Sequence, residues 1–429
     1  YYVKELTKEQ NEKLGRKQYL GKENAEFNFE YSDKTFSKEN PGSSFAAPRV
    51  TATVGLISQI FPWMTAHQIK QTIFTTADDD YRVISIKEKT ADGNEKLVPV
   101  QVGLYGVDEN IGWGILNKIA AQSGPGRFVK ALTHETGNEN FVVNIPSGYY
   151  TFRNHIEGGF DLAHHMYSRG KGLNDLEMFV YSLAKAYTPK YLLGNGFKKS
   201  SEGKQAIEFL KKNNIELSDI HTKELAKIEK KKQEYYKTFS KEEQELFDDA
   251  GLEKLGKGKL VLQGKNTYTG PTLIKEGTLI MLGSSKSPIT IYEGAKLKLD
   301  FARIKEYRDL SQDADVLNEG KLYSYSDRDI INGKYKQKNN GKILISTDAK
   351  LQLKEVDLSE TNFFNYDIFR PKGSVTRKAS TDIMIIDKIS KKDLQKLQLE
   401  DIIINENFKF KVTTAKLDVD GNATKEYQG

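Results

Sequence analysis

From Gly256 onward the chain consists of short apolar runs divided by glycine, asparagine and Asp-Ala turns, and this recurrence limits the fold more than any other feature. Lys259-Leu260-Val261-Leu262-Gln263-Gly264 is followed by Leu273-Ile274-Lys275-Glu276-Gly277-Thr278-Leu279-Ile280-Met281-Leu282-Gly283. The theme returns at Ile289–Leu299 and at Ile343–Leu353. Strands this short each bury one face, and their repetition with tight turns predicts a β-solenoid whose coils cover one another's apolar faces. The tract 301–340 is polar and irregular and is expected to form loops off that stem. In the tail, 383–386, 402–404 and 408–412 read as strands. Asp418-Val419-Asp420-Gly421-Asn422 spaces its oxygens as a Ca²⁺ loop does, but it lacks the closing acidic residue, so an Asp-Gly hairpin turn is the better reading.

Two different compositions precede the repeats. Residues 159–250 alternate lysine and glutamate around apolar positions such as Leu225, Ile228, Tyr235, Phe239 and Leu246, which predicts a charged helical insertion. It is read as a helical hairpin packed on the body, or as an arm that binds a partner or gates substrate. His164-His165 within it makes a poor metal pair, because adjacent helical side chains diverge and no acidic residue follows at four-residue spacing. Before it, Phe141–Ile145 and Tyr149–Phe152 read as strands around the turn Pro146-Ser147-Gly148. Residues 83–102 predict a hairpin, with Ile84 and Ile86 alternating, Asp92-Gly93 at the turn, and Val98, Val100 and Val102 returning. Near the start, Phe27–Tyr31 alternates as a half-buried strand does.

Composition removes several functions. The chain has 429 residues, enough for two or three domains, and no cysteine, which excludes disulfides, thiolate metal sites and thiol catalysis. A net charge of +6 over this length gives no reason to expect nucleic acid as a partner. No run is long and apolar enough for a membrane helix, and no signal peptide is visible. The start at Tyr1-Tyr2-Val3-Lys4 without Met and the end at Gly429 are read as those of a piece of a longer protein.

The candidate chemistry sits at Gly42-Ser43-Ser44-Phe45-Ala46-Ala47-Pro48-Arg49-Val50-Thr51-Ala52. Small and hydroxyl residues run straight into Val50, Val54, Leu56, Ile57 and Ile60, predicting a buried helix with Ser44 at its N-terminus and Pro48 in its first turn. An ordinary N-cap serine has the same local look. A nucleophile there is served by free backbone N–H groups and by the positive helix end, which favour the charge that develops in acyl transfer. The string resembles the serine box of subtilisin-like (S8) peptidases, with Ser43 in place of the usual Thr and Ala52 where Gly is frequent. Downstream, Met64–Ile73 predicts a helix capped by Thr65, as in that family, with His67 on its polar side. Gly112-Trp113-Gly114-Ile115-Leu116-Asn117 is similar to the segment that closes the catalytic domain. Gly124-Pro125-Gly126-Arg127-Phe128 resembles the exit from exported, autotransported serine proteases. Gly264–Thr272 resembles the passenger-associated strand repeat of bacterial autotransporters, with Pro271 in place of a glycine.

The resemblance implies a mixed fold: the C-terminal piece of a subtilisin-like α/β domain over 1–130, the start of a β stem over 131–158, the helical insertion over 159–250, and a right-handed β-helix-like passenger stem over 251–429. It implies an exported, cell-surface or extracellular serine endopeptidase acting on protein or peptide substrates. A β-barrel translocator is expected downstream in the same parent chain. No cofactor is required for the chemistry; structural Ca²⁺ occurs in the family, and no site is assigned here. Ser44 falls on the nucleophile. Its Asp and His, and the oxyanion Asn, belong upstream of the serine in this family, and none of the six histidines precedes Ser44. On this reading the chain alone is inactive. Two alternatives stay open: a surface adhesin or structural passenger with a decayed peptidase region, and an unrelated serine hydrolase using His134 or His155.

Overall fold

The computed structural model describes residues 43–78, 83–89, 95–101, 113–159, 161–168, 170–187, 189–245, 247–305, 310–371, 383–397, 402–405 and 408–410. At Ser43–Phe45 and in the strands between 83 and 101 it describes the backbone. The readings at Phe27–Tyr31, Asp92-Gly93, Gly112 and Asp418–Asn422 lie outside these residues. The chain divides into two compact units, one drawn from 1–49, 78–115 and 160–247, the other from 50–77, 116–159 and 248–429.

The first unit contains a hairpin and a helical body. Strands β1 (Val83–Lys89) and β2 (Glu95–Gln101) pair antiparallel, with Ile84 opposite Val100 and Ile86 opposite Val98, as the alternation requires. The helical body is more than a hairpin. Helices Leu162–Ser168, Asp175–Ala186, Pro189–Leu193, Asn195–Lys199, Ser201–Lys212 and Leu225–Tyr236 surround a core of their own that includes Met166, Tyr181, Leu192, Phe197, Leu210 and Ile228. Asn174 opens the second helix with a capping box, its side chain accepting from the Glu177 N–H while Glu177 accepts from the Asn174 N–H. Asp161, buried, accepts from the Tyr181 hydroxyl at 3.0 Å and from the Ala163 N–H at 3.0 Å.

The second unit is dominated by two parallel sheets. After β3 (Asn140–Asn144) and β4 (Tyr149–Phe152), the chain contributes strands to the two sheets in alternation. One sheet stacks β4, β6 (Lys259–Leu262), β8 (Thr278–Met281), β10 (Lys296–Leu299), β12 (Lys321–Ser324), β14 (Lys342–Ser346) and β16 (Tyr366–Phe369). The other stacks β3, β5 (Gly251–Leu255), β7 (Thr272–Ile274), β9 (Ile289–Ile291), β11 (Val316–Asn318), β13 (Asp329–Gln337), β15 (Leu351–Asp357) and β17 (Met384–Ile386). A third ladder of single parallel bridges links Asn266, Ser285, Gln312 and Ile331. Two short strands, β18 (Ile402–Asn405) and β19 (Phe408–Phe410), pair antiparallel. The period-2 alternation puts Leu260, Leu279, Leu297, Leu322 and Ile343 inside, each fully buried and each in register with the next.

The tract 301–340 departs from the expectation of loops: it holds β11, β12 and all of β13. Its inward positions include polar residues, so the apolar period fades, yet these residues are paired. Asn318 donates to the Tyr335 hydroxyl at 2.8 Å and to the Lys342 carbonyl at 3.2 Å. Asp329 accepts from the N–H groups of Phe301, Tyr325 and Ser326 and from the hydroxyls of Ser324 and Ser326. Buried polar groups with partners cost little, so a strand tolerates them.

β3 and β4 are the end strands of their sheets, and helices cover them. Ile57, Phe61, Met64, Ile69 and Ile73 share one core with Phe141, Phe152 and Phe128. The rings of Phe61 and Phe152 lie 5.5 Å apart edge to face, and those of Phe128 and Tyr268 4.8 Å apart. Gln68 donates its side-chain amide to the Val142 carbonyl. A carbonyl on an exposed strand edge is thereby satisfied, and the edge is closed to other chains.

Candidate functional site

The serine box starts a helix. Ser43–Ile60 is helical, so Ser44 is its second residue and Pro48 its sixth. The first four N–H groups of a helix have no intrahelical acceptor, and they include that of Ser44. Pro48 lies deeper than the first turn that the sequence suggested. Lacking an N–H, it cannot donate to the Ser44 carbonyl four residues back, which loosens the helix at the serine. The helix is also less buried than its composition predicts. Thr53 and Ile57 are buried, whereas Val54, Leu56 and Ile60 are each more than a third exposed. One stripe enters the core that covers β3 and β4, and the other apolar residues face away from it.

The segments after the box are shaped by caps and glycines. Thr65 caps Ala66–Thr75 through a complete capping box with Gln68, and Ile69 and Ile73 point into the core as their spacing predicts. Gly114 sits at φ 114°, a conformation that favours glycine, and delivers Ile115 to a two-bond antiparallel bridge with Asp78. Asn117 caps Lys118–Ala121 by accepting from the Ala120 N–H at 2.9 Å. At Gly126 a Cβ would lie 2.4 Å from the Thr75 carbonyl oxygen, so the Gly-Pro-Gly exit needs glycine there for close approach.

The histidines have local partners. The Nδ1 of exposed His67 is 3.9 Å from Glu135, a carboxylate that also pairs with Lys70. His134 is 3.2 Å from Glu139, and that contact holds the Glu139 carboxyl below its usual range. His155 accepts the Lys265 N–H on Nδ1 at 2.8 Å; its burial, and then the Lys265 charge, lower its proton affinity. His165 packs among Tyr235, Phe239 and Phe247. The Nε2 of His221 lies 2.9 Å from the Tyr187 carbonyl. Glu135 carries no sequence signal that marks it as a partner of His67, which only the fold brings to it, whereas Glu139 reaches His134 from the turn that follows it.

Two segments of the chain are similar to known families. Residues 22–114 match the model of the subtilase family, and residues 252–281 match the passenger-associated-transport-repeat. The chain is 32% identical over 128 residues to the Neisserial autotransporter lipoprotein NalP of Neisseria meningitidis serogroup B, covering 29% of this chain and 9% of that protein. It is 25% identical over 256 residues to an extracellular serine protease of Serratia marcescens, covering 60% of this chain and 16% of that one. Serotype-specific antigen 1 of Mannheimia haemolytica is 33% identical over 92 residues, covering 21% of this chain and 8% of the antigen. The chain thus spans only 8–16% of the length of these relatives. The subtilase match ends at the Gly114 segment, and the repeat match covers β5 to β8, the two strand pairs that follow the helical body. Residues 22–114 are therefore similar to the subtilase (S8) family and residues 252–281 to the passenger-associated-transport-repeat, and the relatives the chain resembles include a bacterial autotransporter and an extracellular serine protease.

Proposed function

We propose that this chain is part of an exported subtilisin-like serine endopeptidase in which Ser44 is the nucleophile. The observation that carries the reading is the position of Ser44: second residue of a helix, inside the subtilase-matched segment, with its own N–H outside the helical ladder. In the proposed reaction the Ser44 Oγ attacks a peptide carbonyl carbon as its proton passes to a histidine. The oxygen that becomes negative is held by the Ser44 N–H. Collapse expels the amine, which takes the proton, and water then hydrolyses the ester to free Ser44. The histidine and its orienting aspartate are proposed to lie upstream of this chain, as is the asparagine that completes the oxyanion hole, so residues 1–429 alone are expected to be inactive. No metal takes part in these steps. The stacked parallel sheets are proposed to form one β-solenoid stem that folds outside the cell and carries the peptidase region at the bacterial surface, with an outer-membrane translocator in the parent protein.

A second reading, a surface adhesin or structural passenger, is supported by how much of the chain is given to the stacked sheets. Labelling with a fluorophosphonate, which reacts with activated serines, separates the two. The chain extended upstream to its natural start is expected to label, and its Ser44→Ala variant and residues 1–429 alone are not. An unlabelled extended chain would favour the adhesin. Labelling of 1–429 alone would place the base among the downstream histidines.

A further inference from the structure

The two sheets treat their lysines differently. On the eight-stranded sheet, lysines alternate with carboxylates across strands. Lys334 pairs with Glu355 at 2.9 Å, Lys388 with the same Glu355 at 3.1 Å, Lys354 with Asp387 at 2.6 Å and Lys338 with Glu319 at 2.5 Å. On the seven-stranded sheet lysine is stacked on lysine. The first residues of β6, β8, β10, β12 and β14 are Lys259, Thr278, Lys296, Lys321 and Lys342, and the register makes each the partner of the next. Each precedes a buried inward residue, so the four lysines point outward, while Thr278 in the same row is itself buried. Neighbouring strands lie about 4.8 Å apart, so Lys296, Lys321 and Lys342 follow one another at a single strand step. Like charges directly opposite on a sheet destabilise it. Among the described residues, ion-pair partners of Lys259, Lys296 and Lys321 are absent, and Lys342 alone reaches a carboxylate, Asp367 at 3.2 Å.

An aromatic cluster borders this row. Two residues along each strand, the next row runs Val261, which is fully buried, then Ile280, Lys298, Tyr323 and Leu344. The Lys298 ammonium sits 5.3 Å from the Tyr323 ring centre and 5.2 Å from that of Tyr325. Those two rings lie 6.1 Å apart at 17°, and Phe369 meets them edge-on at 5.9 and 5.5 Å. The charged row is therefore flanked by a rigid, half-buried aromatic surface.

We propose that the outward face of the seven-stranded sheet binds a linear acidic polysaccharide. Such a chain with one carboxylate per sugar has a charge spacing comparable to the strand step, and it presents flat C–H faces that stack on tyrosine. A bound polyanion would relieve the lysine–lysine repulsion that only the Lys342–Asp367 pair offsets. A lipid surface fits less well, because among the described residues β6 to β14 hold no large hydrophobic side chain that is fully exposed. Nucleic acid fits less well because Tyr323, Tyr325 and Phe369 pack on one another and leave no slot between rings for a base.

The test is titration of the whole 429-residue chain with a size-defined polygalacturonate oligosaccharide, with neutral dextran, phosphatidylglycerol vesicles and single-stranded DNA in parallel. Polygalacturonate is expected to bind and to weaken as salt rises. The combined Lys296→Gln, Lys321→Gln, Lys342→Gln variant is expected to bind about tenfold or more weakly, with a melting temperature no lower than that of the native chain. Lys334→Gln with Lys336→Gln, on the other sheet, is expected to leave binding unchanged. Tyr323→Ala is expected to weaken binding without altering its salt dependence. No polygalacturonate binding, equal loss from the control variant, or tighter lysine-dependent binding of DNA or vesicles would overturn the proposal.

Discussion

Replacing Phe152 by alanine tests whether the helices that follow the serine box close the sheet end. Phe152 ends β4 and is fully buried. Its ring lies 5.5 Å from that of Phe61, 6.0 Å from Trp63 and 6.4 Å from Phe141, so it joins helix, turn and sheet at one point. Removing such a ring from a filled core costs about 3–5 kcal/mol, the spread reflecting how far the walls collapse. In a stack where each strand pair touches mainly its neighbours, that loss falls on the covered end. Hydrogen exchange should therefore show β3 to β6 opening roughly a hundred- to several thousandfold more often, while β12 to β15 keep their protection. The Trp63 emission, reporting from the same cluster, should unfold at lower urea in the variant. Phe152→Leu should recover more than half of the loss. If β3 to β6 exchange as in the native chain, or if all strands lose protection equally, the helices do not close the end in the way the packing implies.

Other perturbations separate causes that the fold combines. Lys254 is buried, with its ammonium donating to the carbonyls of Leu255, Gly256 and Glu276, and burial pushes it down to about 8. Because the folded value lies below the unfolded one, the unfolded chain binds more protons between about pH 8 and 10.5. This residue's contribution to stability should rise with pH across that window and flatten below it. Melting curves of the native chain and Lys254→Met over pH 7–11 should differ in slope there, and parallel curves would refute the assignment. Gly256 and Gly294 both have positive φ, 71° and 79°. A Cβ at Gly256 would lie 2.4 Å from the Ile145 carbonyl oxygen, whereas one at Gly294 meets nothing within 4 Å. Alanine at 294 should cost only the backbone preference, about 1–2 kcal/mol, and alanine at 256 at least about 1 kcal/mol more. Equal losses in urea unfolding would show that the close approach at 256 relaxes freely.

Much of the local structure was legible because it rests on short-range rules. The Thr65 cap, the Ile69 and Ile73 face, the two strands of the 83–101 hairpin and the strands at 259–262, 278–281, 289–291 and 296–299 follow from period and capping. The tract 301–340 was not legible, because Asn318, Asp329 and Gln337 are inward and polar, and the groups that satisfy them, such as the Lys342 carbonyl, the Phe301 N–H and the Phe363 carbonyl, are brought to them by the fold. Burial of the serine helix was overestimated for the converse reason: Val54, Leu56 and Ile60 are apolar, but apolarity does not say which of them finds a covering surface.

The sequence by itself determined the serine box with its helix start, the Gly-punctuated strand recurrence, and the exclusion of cysteine chemistry, since all three depend on residues adjacent in the chain. Tertiary structure decided how the helical segment builds a core of its own and which helices cover β3 and β4. It also decided that lysines at 296, 321 and 342, separated by unequal lengths of chain, stand in one row. Interstrand hydrogen bonding sets that register, and it pairs residues by their place in the ladder, whatever the length of the turns between them.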